Sequence, residues 1–195
     1  MASLPETGFA FFAGNPLEKL FYGRLQLKAA SSQYYFTRSS LIQSIIHELK
    51  YKGNQEVGIE MGKMLGNTLK QSGRFCNIDA IVPLPLFPEK ERMRGYNQAE
   101  VLGRGIQQIL EIPLLRDAVV RNRFTTSQTH KNRMERWQNV EQVFSVARPD
   151  LVENKSILLA DDVITTGATL EACGNIIKNA SKTDLYMASL AFAMQ

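Results

Sequence analysis

The sequence predicts an α/β fold built on a mainly parallel sheet with helices on both faces. Two patterns carry that expectation. Short apolar runs of strand length, Ile78–Val82, Ser156–Ala160 and Leu185–Ala193, alternate with stretches whose apolar residues recur at helical spacing. One of these runs passes directly into two adjacent carboxylates and a Thr-Thr-Gly-Ala-Thr turn, at the edge where open α/β sheets gather their ligands.

Taken in order, residues 1–37 are aromatic and weakly periodic, and no element is assigned to them. We therefore divide the chain into an N-terminal extension or hood, residues 1–40, and a main domain, residues 41–195. Leu41, Ile42, Ile45, Ile46 and Leu49 share one helical face, which Gly53-Asn54 ends. A second helix turns Val57, Met61, Met64, Leu65 and Leu69 inward and carries Gly58, Gly62 and Gly66. Each glycine weakens a helix by roughly 1 kcal/mol relative to alanine, so a neighbouring backbone is expected to approach there. The strand Ile78–Val82 runs into Pro83-Leu84-Pro85, since proline cannot continue a central strand. Val101, Leu102, Ile106, Ile109 and Leu110 suit a helix after the loop. Val119-Val120 and Val143–Val146 read as strands on either side of a basic segment. Leu170, Cys173, Ile176, Ile177 and Ala180 mark the last helix face.

Composition narrows the function classes. The chain has 195 residues, 44% hydrophobic and 22% charged, the profile of one globular α/β domain. No apolar run approaches the roughly 18–20 residues of a membrane span. Phe9–Ala13 is too short for a signal-peptide core, and Glu6 rather than a basic residue precedes it. Two cysteines, Cys76 and Cys173, and two histidines make neither a disulfide framework nor a zinc site, so a reduced, cytoplasmic protein is expected. Leu4-Pro5-Glu6-Thr7-Gly8 spells a sortase pentapeptide, but at the wrong end of the chain for that signal. The net charge of +4 is concentrated: Arg121, Arg123, Lys131, Arg133 and Arg136 face only Glu135 within residues 121–136. Such a local cluster points to a polyanionic ligand.

Residues 157–169 carry the chemistry. Four apolar residues lead into Asp161 and Asp162, and two carboxylates suit a vicinal diol because each accepts a hydroxyl proton. Thr165, Thr166, Gly167, Ala168 and Thr169 then turn into a helix whose first amides make a phosphate cradle. A diol clamp beside a phosphate cradle describes a ribose 5-phosphate site. A helix cap alone needs one acidic or hydroxylated residue, not two carboxylates and three threonines. No Gly-x-x-x-x-Gly-Lys-Ser/Thr run occurs, which excludes a P-loop.

This thirteen-residue stretch resembles the motif with which type I phosphoribosyltransferases bind 5-phosphoribosyl-1-pyrophosphate (PRPP). Val82-Pro83-Leu84-Pro85, Arg94-Gly95-Tyr96-Asn97-Gln98-Ala99 and Glu135-Arg136-Trp137-Gln138-Asn139-Val140 further resemble the ComF family, whose domain of this type is associated with DNA uptake in natural transformation. The likeness covers roughly residues 3–195, and it implies that residues 41–195 form a phosphoribosyltransferase-like domain. It departs at the N-terminus, where ComF proteins commonly carry a four-cysteine zinc module. Either that module was trimmed or this member dispenses with it. The glutaminase cysteine and extra domain of amidophosphoribosyltransferases are also absent.

The resemblance implies roles for named residues. Asp161 and Asp162 would hold the ribose 2′- and 3′-hydroxyls, and Thr165, Thr166, Gly167, Ala168 and Thr169 would wrap the 5′-phosphate. Arg94-Gly95-Tyr96 resembles the Arg-Gly-aromatic pyrophosphate loop of adenine phosphoribosyltransferase. Arg121, Arg123, Lys131 and Arg133 stand where type I enzymes place a loop that closes over pyrophosphate, so Arg94, Arg123, Lys131 and Arg133 are the catalytic candidates. Mg²⁺ would arrive with PRPP. The acceptor is not legible; Phe9, Phe11, Phe12, Phe21, Tyr22, Tyr34, Tyr35 and Phe36 serve either as packing or as a stacking surface for a base. Two functions stay open. One is a phosphoribosyl transferase. The other is a non-catalytic component that senses PRPP and contacts single-stranded DNA through the basic segment. The state of assembly is left open between monomer and homodimer.

Overall fold

Along the run Ile157–Ala160, successive side chains enter opposite apolar layers. Ile157 and Leu159 join one, Leu158 and Ala160 the other, and all four are fully buried. A strand covered on both faces has no polar side to show, which is why this run is continuously apolar. The structure is a computed structural model of the chain, and it describes residues 4–37, 40–122, 143–180 and 182–193.

In chain order the elements are α1 (Pro16–Leu20), β1 (Ala29–Tyr35), α2 (Leu41–Tyr51), α3 (Gln55–Ser72), β2 (Ala80–Pro83), α4 (Pro88–Arg94), α5 (Gln98–Leu110), β3 (Val119–Arg121), β4 (Phe144–Val146), β5 (Ser156–Ile164), α6 (Ala168–Ala180) and β6 (Asp184–Phe192). Four strands form a parallel sheet in the order β1-β6-β5-β2, while β3 and β4 pair antiparallel in a separate ribbon. One face of the sheet packs on α2, α3 and α5 through Ile42, Ile46, Leu65, Leu69, Leu102 and Ile106. The other packs on α1 and α6 through Leu17, Leu170, Cys173 and Ile177. Among the described residues, no helix is long and apolar enough to cross a membrane.

The glycines of α3 sit where a second backbone passes. A Cβ on Gly62 would lie 2.2 Å from the carbonyl oxygen of Leu102, and one on Gly66 would lie 3.0 Å from Cβ of Ile109. The close approach expected from the glycine spacing is therefore the crossing of α3 with α5.

Three readings of the sequence change. Residues 29–35, left without an element, form β1, the edge strand beside β6 (Ala29 opposite Tyr186). Ser31, Ser32 and Gln33 hide the strand because they are weak strand formers, yet all three are buried. Second, β5 continues beyond its acidic pair to Ile164, because Ala191 and Phe192 of β6 keep pairing with Val163 and Ile164. Third, the stretch read as a loop contains α4, started by Pro88 and ended by Gly95 at φ 82°.

The first residues fasten the sheet edge. Asn15 is fully buried; its side chain accepts from the Glu18 N–H at 3.0 Å and donates to the carbonyls of Phe9 (3.0 Å) and Ala30 (2.9 Å). Glu18 accepts from the Ala30 N–H at 3.1 Å and pairs with Arg74 at 2.6 Å. Further along β1, the Thr7 N–H donates to Gln33 and the Tyr35 N–H to Pro5. On the far edge, Ile81 of β2 donates to Pro113 and accepts from Leu115. Phe9, Phe21 and Tyr34 are core, whereas Phe11, Phe12 and Tyr22 are exposed.

Candidate functional site

Asp161 and Asp162 are consecutive on β5, so the pleat sends them to opposite faces. Asp162 is buried on the α2 side, where Lys50 Nζ lies 2.7 Å from its Oδ2. Asp161 is half-buried on the other side, and its Oδ1 accepts the Asp162 N–H at 2.8 Å. Burial pushes the Asp161 carboxyl well above the usual carboxylate range, and the Asp162 charge adds to the effect. The Asp162 N–H and Lys50 act in the opposite sense and are outweighed.

Beyond Ile164 the chain makes the turn that the sequence marked. Thr165, Thr166, Ala168 and Thr169 are exposed, while Gly167 is buried at φ 73°. A Cβ there would lie 2.8 Å from Cζ of Phe21 and 3.1 Å from Cδ2 of Leu20, so the end of α1 props the turn from behind. The Glu171 N–H donates to the Gly167 carbonyl at 2.8 Å and starts α6, and the Ala168 N–H donates to the Thr166 hydroxyl at 3.4 Å. Arg24 donates to the Thr166 carbonyl at 3.3 Å and pairs with Glu171. Asp161, Val163, Ile164 and residues 165–170 line one concavity of about 40 Å³. The structure thus joins Asp161 to the whole turn and leaves Asp162 on the opposite face.

The Arg94-Gly95-Tyr96 turn lies on the α2 side. Arg94 donates to Gln98 Oε1 at 2.7 Å, and its guanidinium carbon is 5.6 Å from the centre of the Tyr51 ring. The Tyr96 hydroxyl donates to the Leu49 carbonyl, and burial pushes this phenol up against the opposing charge of Arg94. Asn97 caps α5 by accepting from the Ala99 N–H, and it donates to the Leu84 carbonyl, both at 3.0 Å.

Of the basic residues, Arg121 ends β3 between two rings, 3.8 Å from the centre of Phe87 and 5.2 Å from that of Phe144. Its Nε is buried without a hydrogen-bond partner. Burial lowers its pKa, and the neighbouring Asp161 carboxylate opposes that shift. Arg123, Lys131 and Arg133 lie outside the described residues; the Asn122 N–H donates to the Val143 carbonyl at 2.9 Å, where the chain on either side of them meets.

Lys50 is the site residue that the sequence reading missed. A signal existed: Ile42, Ile46 and Lys50 are spaced by four, so this lysine continues the apolar face of α2. Phe87 and Phe144, which sandwich Arg121, had no comparable mark.

No family model matches the chain. Competence protein F of Haemophilus influenzae is 28% identical over 153 residues, 76% of this chain and 67% of that protein. The DNA utilization protein YhgH of Escherichia coli K12 is 26% identical over 139 residues, 70% of this chain and 60% of that protein. Competence protein ComFC of Bacillus subtilis is 28% identical over 135 residues, 69% of this chain and 52% of its own length. The chain therefore spans between about half and two thirds of these relatives. Among solved structures, the glutamine PRPP amidotransferase of B. subtilis complexed with ADP and GMP superposes with a TM-score of 0.52 at 19% identity, over 73% of this chain and 30% of that one. An allosteric regulatory enzyme of purine biosynthesis gives a TM-score of 0.53, also at 19% identity, over 73% of this chain and 29% of its own. At that identity the likeness establishes the fold, which is that of type I phosphoribosyltransferases.

Proposed function

We propose that this chain, a homologue of competence protein F, YhgH and ComFC with a type I phosphoribosyltransferase fold, binds PRPP or ribose 5-phosphate at the end of β5. The observation that carries the reading is the single concavity shared by Asp161 and the turn at the start of α6. The 5′-phosphate lies against the amides of residues 166–169, where the N–H groups of a helix start and the helix dipole both favour an anion. Asp161 and Asp162 accept the ribose hydroxyl protons, one from within the concavity and one from the α2 side. Pyrophosphate meets Arg94, Gly95 and Tyr96, with Arg123, Lys131 and Arg133 as further contacts.

Among the described residues, no group of three His, Cys, Asp or Glu side chains could hold a metal alone. Mg²⁺ would arrive with PRPP, as the resemblance to type I phosphoribosyltransferases implies, and would offset the charge of the pyrophosphate. In a transfer reaction, an acceptor lone pair forms the new bond to ribose C1 while the C1–O bond breaks and pyrophosphate leaves with the electron pair. The cations stabilise the departing charge.

The names of the relatives, competence and DNA utilization proteins, support a link to DNA; in a second reading the protein senses PRPP without catalysis and contacts single-stranded DNA during its uptake. Calorimetry with Mg·PRPP and ribose 5-phosphate tests the shared premise. Asp161→Asn with Asp162→Asn should remove most of the binding, at roughly 1.5–3 kcal/mol per charged hydrogen bond. Unchanged affinity in that double variant overturns the diol assignment. Pyrophosphate release with a panel of bases and amines then separates the transferase from the sensor.

A further inference from the structure

We propose that Lys50 is a positioning residue for the acidic pair, and that the last turn of α2 holds that pair and the Arg94-Gly95-Tyr96 turn in one frame. The inference rests on the ribose 5-phosphate reading above. Three consecutive residues each grip a different part of the site. The Leu49 carbonyl accepts from the Tyr96 hydroxyl. Lys50 Nζ lies 2.7 Å from Asp162 Oδ2, and the Tyr51 ring stacks on Arg94. The turn itself cannot drift, because Ile42, Ile46 and Leu49 fix α2 in the core.

The Lys50–Asp162 pair differs from the surface pairs of the same region. Its side chains are 24% and 11% exposed, against 60% and 36% for Lys52, just past the end of α2, and Glu48 one turn before it. Burying two charges is a poor way to gain stability, since the desolvation of both roughly cancels their attraction and an apolar pair would serve as well. A binding role accounts for the choice. Each oxygen of a carboxylate can accept a hydrogen bond from a ribose hydroxyl, and Lys50 Nζ holds one oxygen of Asp162 from the α2 side. Lys50 faces Asp162 from α2, while Arg121 and Cys173 stand on the Asp161 side. Lys50 is thus the cation in contact with the buried member of the pair, and its reach sets where that carboxylate points.

The test uses the full chain, with ribose 5-phosphate and inorganic phosphate as probes. Inorganic phosphate engages the turn at residues 165–169 but has no diol. Lys50→Met should weaken ribose 5-phosphate by about tenfold, the scale of one charged hydrogen bond, and leave inorganic phosphate unchanged. Lys50→Arg should restore most of the loss, because the charge returns. If the methionine variant does not fold, Lys50→Gln, which also removes the charge, should weaken ribose 5-phosphate in the same direction and leave inorganic phosphate unchanged. Equal weakening of both probes would mean a merely structural role and overturns the proposal, as does unchanged ribose 5-phosphate binding in Lys50→Met. If the wild-type chain binds inorganic phosphate but gains nothing from the ribose, the diol reading itself fails and the proposal with it.

Discussion

Gly62 of α3 and Gly105 of α5 meet back to back. A Cβ on Gly105 would lie 2.1 Å from the Ile59 carbonyl oxygen and 2.7 Å from Cα of Gly62. Because those neighbours are backbone, no rotamer change can make room. Gly105→Ala and Gly62→Ala should each cost about 1–3 kcal/mol by overpacking. Gly66→Ala, which meets the Ile109 side chain at 3.0 Å, should cost less. Urea unfolding with an unchanged slope would measure the difference. Equal, negligible losses at all three positions would contradict the crossing.

A second prediction concerns Asp161 and pH. Its carboxyl is raised by burial and by Asp162, so the folded state binds its proton more tightly than the unfolded chain does. Such a group contributes stability that is fully present below the unfolded pKa, about 3.9 for aspartate, and lost as pH rises through the folded value. Asp161→Asn removes that dependence. The variant should gain stability over wild type at neutral pH, and the gain should vanish as pH falls below about 4. Thermal melts across that range would show it. A variant less stable than wild type at neutral pH would mean that Asp161 is not held against its charge.

The basic segment supplies the third. With Arg123, Lys131 and Arg133 changed together to alanine, PRPP should bind more weakly while ribose 5-phosphate, lacking pyrophosphate, is nearly unaffected. If the same residues grip nucleic acid, single-stranded DNA binding should fall and its salt dependence flatten by roughly 0.7 per lost phosphate contact. Calorimetry for the sugar phosphates and fluorescence titration over a salt series for DNA read both effects. A variant normal in both assays would return the segment to an ordinary solvated run of charge.

The readable parts of this molecule are those whose signal is local. The strand, acidic pair, turn and helix of residues 157–169 are consecutive, so their order alone exposed the candidate site, and the α3 glycines announced a close crossing. The parts that escaped depend on distant partners. Residues 31–33 are polar, and only the pairing of β1 with β6 makes them a strand. No residue of α4 is buried, so it has no apolar face to betray it. The spacing of Lys50 with Ile42 and Ile46 marks it as facing inward, but its partner Asp162 lies far along the chain and only the fold brings the two together. The opposite facing of Asp161 and Asp162 follows from the continuation of β5, which the sequence reading had stopped short.

The side chains of Asn15 and Glu18 that engage Ala30, and the contacts of Pro5 and Thr7 with β1, have a bearing on self-association. Together with Pro113 and Leu115 along β2, they occupy hydrogen-bonding groups on both rims of the sheet. An incoming strand from another molecule would have to displace those partners before it could dock. Two copies of this chain that met in solution would therefore join through side chains on helical or loop surfaces, each keeping its four-stranded sheet closed to the other.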